Sequence, residues 1–226
     1  MHVAELWRYP VKSMAGERIA EIQIGKDGLP GDRRVAVFDR LGRRPDHPLS
    51  ARDHPGLLNF RARSVPDGPT VEGPGMPATK WDEERVRQAV SEHCRRELEL
   101  AEVPQGAFDD SPLLVIALSS LRELGDELGR QVDRRRFRAN IYLDGTELEP
   151  GSEPTWTRRQ IDIEGTVLVA LDGCPRCSVT TRDPDSLETW PQLLRHLVLT
   201  RAEMMGVYCG VERPGRLAEG AQMQLQ

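Results

Sequence analysis

Apolar positions along the chain fall into two rhythms, one of period 2 and one of helical period. Between Ile19 and Ile24, the residues Ala20, Ile22 and Ile24 alternate with polar ones, as in a half-buried strand. Residues 3–9, 34–39 and 57–62 read as further short strands, separated by turn signals at Asp27-Gly28, Pro30-Gly31 and Leu41-Gly42. Residues 65–80 are so rich in Pro and Gly that they read as a connector. Over residues 81–98, Val86, Val90 and Cys94 recur at helical spacing among charges, which predicts one surface helix. Residues 102–111 read as loop. The unbroken apolar run 113–118 predicts a buried strand. Ser120 and Glu123 have the spacing of a capping box, so a short helix should follow to Leu128 and stop at Gly129. Residues 137–143, 160–163 and 166–171 look like strands, 187–203 mostly like helix, and 207–211 and 221–225 close the sheet. Few helices and many short strands predict a β-rich α+β fold, a barrel-like core with helices outside.

A chain of 226 residues suits one large domain or two small ones. Mean hydropathy is -0.52, and no apolar run approaches the roughly 20 residues that span a bilayer. The amino terminus shows no basic flank followed by an apolar run, so the expected location is cytoplasmic. A net charge of -5 argues against a general nucleic-acid binder. Arg134, Arg135, Arg136 and Arg138 nevertheless cluster, which suits a small anion, with Arg134–Arg136 read as a solvated basic turn. The four cysteines do not form two Cys-x-x-Cys pairs, so a four-cysteine zinc ribbon fits poorly. His47 and His54 sit among turn residues and read as surface, on a loop that could border a substrate.

One pair remains, Cys174-Pro175-Arg176-Cys177, at the end of a predicted strand. Pro175 stiffens it, and a guanidinium at Arg176 would favour thiolate, the better nucleophile and soft-metal ligand. Three readings stand: a packing pair, a redox pair, or a ligating thiol. A thioredoxin-like redox pair needs a helix start in a βαβ unit, whereas Val179-Thr180-Thr181 reads as strand.

The longer segment bears on this choice. Cys174-Pro175-Arg176-Cys177 followed by Ser178-Val179-Thr180-Thr181 and Asp183-Pro184-Asp185 resembles the signature of MOSC domains, in particular the branch of the mitochondrial amidoxime-reducing component and its bacterial relatives. Five further blocks resemble that family in its own order: Tyr9-Pro10-Val11-Lys12-Ser13, Gly31-Asp32-Arg33-Arg34, Asp110-Ser111-Pro112-Leu113-Leu114, Phe137-Arg138-Ala139-Asn140-Ile141, and Gly206-Val207-Tyr208 with Pro214-Gly215. The resemblance implies a MOSC-type β-barrel core over residues 105–226, a connector with one helix over 76–104, and an amino-terminal β subdomain over 1–75. It also implies the molybdenum cofactor, Mo-molybdopterin, with Cys177 as the molybdenum ligand and Cys174 flanking it.

For such a ligand, Lys12 and Ser13 offer an ammonium, a hydroxyl and a backbone N–H to phosphate where a strand ends. Arg33 and Arg138 can each grip phosphate oxygens in a fork. The set expected to bind cofactor is Lys12, Ser13, Arg33, Ser111, Arg138, Asn140, Cys174, Pro175, Arg176 and Tyr208, around one cavity with Cys177. Asp110 stands where the relatives carry a hydroxyl, and is expected to pair with Arg138, to assist proton delivery, or to repel the cofactor phosphate. The implied activity is two-electron reduction of N-hydroxylated or related oxygenated small molecules. Electrons would come from a separate reductase or ferredoxin-like protein, since no flavin or cytochrome motif is present. The rival reading is a carrier of cofactor or persulfide sulfur on Cys177. The chain is shorter than those relatives between its two halves.

Overall fold

A computed structural model describes residues 1–226. The strands are β1 (His2–Arg8), β2 (Glu17–Ile19), β3 (Glu21–Ile24), β4 (Val35–Phe38), β5 (Arg61–Val65), β6 (Gly68–Gly73), β7 (Met76–Lys80), β8 (Glu99–Glu102), β9 (Leu113–Ala117), β10 (Ile141–Asp144), β11 (Gln160–Ile163), β12 (Thr166–Pro175), β13 (Met204–Arg213), β14 (Gly215–Ala218) and β15 (Met223–Leu225). The helices are α1 (Glu84–Cys94), α2 (Leu118–Leu128) and α3 (Pro191–Arg201). The fold is β-rich, as the short alternating segments predict.

Eight strands form one mixed sheet in the order β15-β11-β12-β13-β9-β10-β1-β2, with β9 and β10 parallel. The strand ladders do not close into a barrel. The sheet curls until β1, next to one edge, meets the segment before β15 at the other through one bridge, His2 with Gln222, where the Val3 N–H donates to Ala221 O at 2.9 Å. The concave face is lined alternately by residues such as Leu6, Val115, Leu168 and Val207, all buried. β1 and β2 belong to this sheet, and β3 pairs with β14. A second core, built on Val11, Val35, Phe60, Val71 and Val86, holds a smaller module of β4–β8 and α1. The segment from Tyr9 to Ser13 crosses between the two cores. A third cluster packs α2 and α3 on the outside of the main sheet, through Leu121, Leu124, Leu193 and Leu197. No helix is long and apolar enough to cross a membrane.

Several local expectations need correction. Residues 65–80 are not a connector: they form the double hairpin β5-β6-β7. Gly68 and Gly75 take φ of 102° and 70° in its turns, and Pro77 lies on the edge strand, where a missing N–H costs no ladder bond. Residues 55–59 form a 3-10 turn, so the strand starts only at Arg61. Ser120 does not cap α2, because it lies inside the helix; its hydroxyl donates to Glu153 Oε2 at 2.8 Å. Gly129 does end α2, in the left-handed conformation. Arg138 is not in a strand: a 3-10 turn covers Arg134–Phe137, and Arg138 follows it with φ of 56°. Val179–Thr181 are likewise 3-10 turn, not strand. Nor are Arg134–Arg136 a solvated turn. Arg134 pairs with Glu5, Arg135 with Asp133 and Asp185, and the buried Arg136 with Asp183. Helices at 81–98 and 187–203 are shorter than the pattern suggests, and Pro191 opens the latter.

Candidate functional site

β12 ends at Pro175, and its bulged pairing with β13 delivers Cys174 and Cys177 to the junction of the two modules. There they meet a narrow cleft of about 90 Å³. Lys12, Ser13, Arg33, Ser111, Arg138, Asn140, Cys174, Arg176, Cys177 and Tyr208 all line it. Two expected residues do not. Pro175 is exposed at the strand end, and Asp110 lies outside, accepting a bond from the Ser111 hydroxyl at 3.1 Å. The carboxylate in the lining is that of the neighbouring Asp109.

The lining carries five cationic side chains and one carboxylate, in a protein whose net charge is -5. Three of these residues, Ser13, Arg33 and Arg138, sit on left-handed backbone with φ of 69°, 52° and 56°. Such conformations are strained for non-glycine residues and persist only where surroundings impose them. Here the constraint is visible. The Ser13 hydroxyl accepts the Ala51 N–H at 2.9 Å and donates to Leu49 O at 3.2 Å, so it ties down a loop and has less to offer a ligand. Asn140 is also occupied, accepting from Leu114 N–H and donating to Trp7 O.

Arg33 and Arg138 both face the Tyr9 ring, with Cζ 5.0 and 4.4 Å from its centroid. Buried Asp32 accepts from the Tyr9 N–H and from Arg33. Burial, reinforced by the charge of Arg33, pushes the Arg138 guanidinium down to about 10. Its Nη1 donates to Met14 O at 2.7 Å, while its buried Nη2 has no partner. Arg176 shows the same pattern. Its Nη1 reaches Cys174 Sγ at 2.7 Å and its Nη2 donates to Phe137 O at 2.7 Å, yet its buried Nε is unsatisfied. Orphaned guanidinium donors are costly in an interior and signal a missing acceptor.

The two cysteines have different neighbours. Cys174 is buried against Arg176 and Tyr208, whose hydroxyl is pushed up first by burial and then by the thiol. Cys177 is half-exposed, and its cationic neighbour is Arg52, whose proton is held more tightly by the hydrogen bond and charge of Cys177. Sequence reasoning put Arg176 beside Cys177; the structure turns Arg176 to Cys174 and brings Arg52 from a distant loop. At the cleft mouth Lys12 Nζ donates to Ala107 O at 2.8 Å and Asp109 Oδ1 at 2.5 Å. Burial pulls Lys12 below its usual value against the attraction of Asp109. Desolvation pushes the Asp109 carboxyl up, but Lys12 outweighs it and holds the group below the usual range. Arg52 and Asp109 were missed, since each lies in a loop and has no periodicity or motif to mark it.

Comparison with known proteins identifies the family. The family model described as MOSC domain matches residues 81–224, and that described as MOSC N-terminal beta barrel domain matches residues 1–107. The mitochondrial amidoxime-reducing component 1 of Mus musculus is 30% identical over 288 residues, covering 99% of this chain and 82% of that protein. The Homo sapiens component 1 is 26% identical, over 99% of this chain and 82% of its own length. The molybdenum cofactor sulfurase of Caenorhabditis elegans is 25% identical over 85% of this chain but only 30% of that protein. Among solved structures, the YUAD protein from Bacillus subtilis superposes with a TM-score of 0.55 at 12% identity, covering 99% of this chain and 94% of that one, a likeness of fold. The chain belongs to the MOSC domain family, with a MOSC N-terminal module joined to its core.

Proposed function

We propose that the cleft binds the molybdenum cofactor and that the chain reduces N-hydroxylated small molecules there. The observation that carries this reading is the pair of unpartnered buried donors, Arg138 Nη2 and Arg176 Nε, in a strongly cationic cleft beside Cys177. They fit an anionic ligand with several acceptors, as a pterin phosphate is. No group of three or more His, Cys, Asp or Glu gathers anywhere that could hold a metal ion. A metal here would therefore bring its own ligands and take one soft donor, Cys177, from the protein. The name amidoxime-reducing component supports a reductase, and the name molybdenum cofactor sulfurase supports the cofactor alone.

When bound, the cofactor supplies two-electron redox chemistry at molybdenum. The residues of this chain hold and tune it. Cys177 provides the thiolate, and Arg52 balances its charge. Arg33, Arg138 and Arg176 receive the anion and the ring acceptors. Cys174, clamped by Arg176, lies behind the ligating thiol. Reduction breaks the N–O bond of the substrate, takes up two electrons and two protons, and releases the oxygen as water. The electrons come from a separate donor protein. Lys12 Nζ, sharing its proton with Asp109 Oδ1 at the mouth, is placed to pass one proton inward.

The test is direct. Protein purified from a host that makes the cofactor should hold about one molybdenum and one pterin per chain and reduce benzamidoxime with an artificial one-electron donor. A labile sulfane sulfur on Cys177, without metal or turnover, would replace this reading with the carrier.

A further inference from the structure

The cleft opens into a second, much wider cavity of about 1090 Å³. The two share Lys12, Ser50, Arg52 and Asp109 in their linings, so they are continuous. The far wall of this basin is the loop between β4 and the 3-10 turn at Pro55–Asn59. Its charges do not balance. Asp39 is taken by Arg96, and Asp109 by Lys12. Nearby Asp46 lies 3.6 Å from Arg40. With Arg52 turned to Cys177, that leaves the exposed guanidiniums of Arg43 and Arg44 facing one uncommitted carboxylate, Asp53, with His47 and His54 alongside. The cofactor's own anion does not account for these groups, because the orphaned donors of Arg138 and Arg176 already await it in the narrow cleft. The basin is also larger than the roughly 300–1,000 Å³ typical of small-molecule sites, so the space leads well beyond a reacting N–O group.

We propose that the basin is the subsite for an anionic substituent of the substrate, a carboxylate or a phosphate, recognised by Arg43 and Arg44 while the N–O end of the same molecule reaches Cys177. This rests on the reading of the cleft as a reductase site. Arg52 stands at the junction of the two cavities, committed to Cys177, so Arg43 and Arg44 carry the recognition. Two unpaired guanidiniums on an exposed loop bind an oxyanion in forked hydrogen bonds with little desolvation cost.

The experiment compares benzamidoxime with its 4-carboxy and 4-phosphono derivatives on the cofactor-loaded enzyme, with an artificial one-electron donor so that no donor protein takes part. The anionic compounds should show KM about tenfold or more below the neutral one, the worth of one charge-assisted hydrogen bond. That ratio should shrink as salt rises. The double variant Arg43→Ala/Arg44→Ala should lose most of the ratio, and Arg43→Lys/Arg44→Lys should keep part of it. Preference for both anions gives a general oxyanion subsite, and preference for the phosphonate alone identifies phosphate as the source. A ratio near one in the wild type, or one unchanged in the alanine variant, overturns the proposal. Two other results also overturn it. A loss of pterin from the alanine variant would assign the basin to the cofactor, and a defect seen only with a protein electron donor would assign it to that partner. Calorimetry of 4-amidinobenzoate against benzamidine reads binding without turnover. If no oxime is reduced yet the carboxylate still binds tighter through Arg43 and Arg44, the subsite stands and the reductase reading fails.

Discussion

Arg138 is half-buried with its Nη2 sealed from solvent, stands on left-handed backbone, and makes one hydrogen bond to Met14 O beside the Tyr9 ring. Without a bound anion these contacts offset only part of its desolvation, which is why its value falls to about 10. A cation whose folded value lies below its ordinary one destabilises the fold at every pH below the folded value, and the cost is relieved only as pH rises past it. Replacing it with an apolar side chain of similar volume should therefore help the empty protein. Arg138→Met is expected to raise the Tm of cofactor-free protein by about 2–4 °C, corresponding to about 1 kcal/mol in a chain of this size, and to abolish pterin retention. A variant that melts lower and keeps its pterin would show that Arg138 is structural. Ser13 behaves in the opposite way. Ser13→Ala leaves the buried Ala51 N–H without its acceptor, so a loss of about 1–3 kcal/mol is expected in denaturant unfolding. Tryptic cleavage at Arg52 should quicken as the loop loosens.

Buried Glu153 does for α2 what a capping box would have done. Its Oε1 accepts the Ala117 N–H at 2.9 Å, and its Oε2 accepts the Ser120 hydroxyl at 2.8 Å. Glu153→Ala should cost about 1–3 kcal/mol, whereas Glu123→Ala removes only a surface pair with Arg201 and should cost less than about 1 kcal/mol. Burial holds the Glu153 carboxyl above its ordinary value. Its contribution is therefore complete below the unfolded value and declines as pH rises through the folded one. Glu153→Gln should flatten that part of the stability profile just above the usual carboxylate range, and an unchanged profile would contradict the assignment. The missed cap shows what a sequence leaves unspoken: the Ser-x-x-Glu spacing is real, but the partner comes from 33 residues away. Period-2 alternation and apolar runs marked most strands of the main sheet, because a strand buries one face, as β11 does, or both, as β9 does. They failed at β6 and β7, where turn-forming Gly and Pro dominate the composition of a true hairpin. Ten of the expected site residues lie together in the cleft, nearly all of them at or just beyond strand ends, with Tyr208 inside β13. Arg52 escaped notice because only tertiary folding brings its loop to Cys177.

At the scale of the molecule, the amino terminus completes the main sheet. Val3, Leu6, Ile24 and Leu29 share one core with Leu113, Val115 and Val207. A fragment of residues 105–226 would expose the β10 edge and lose four of the 21 residues buried in that core, so it should aggregate or unfold without a cooperative transition. A fragment with a sharp two-state transition would contradict this account of the core. The same interlock places Lys12, Ser13 and Arg33 of one module against Arg138 and Cys177 of the other. On the function proposed above, this junction holds a metal-bearing cofactor through one sulfur. Molybdenum and pterin per chain should be measured for wild type, Cys177→Ser and Cys174→Ser, all purified from a cofactor-competent host. A hydroxyl is a poor substitute for thiolate on a soft site, so Cys177→Ser should lose molybdenum. Cys174→Ser should keep metal while affinity or rate falls by about 10- to 100-fold, as for residues that support a ligand from behind. Full metal in Cys177→Ser, or its loss only in Cys174→Ser, would contradict the account.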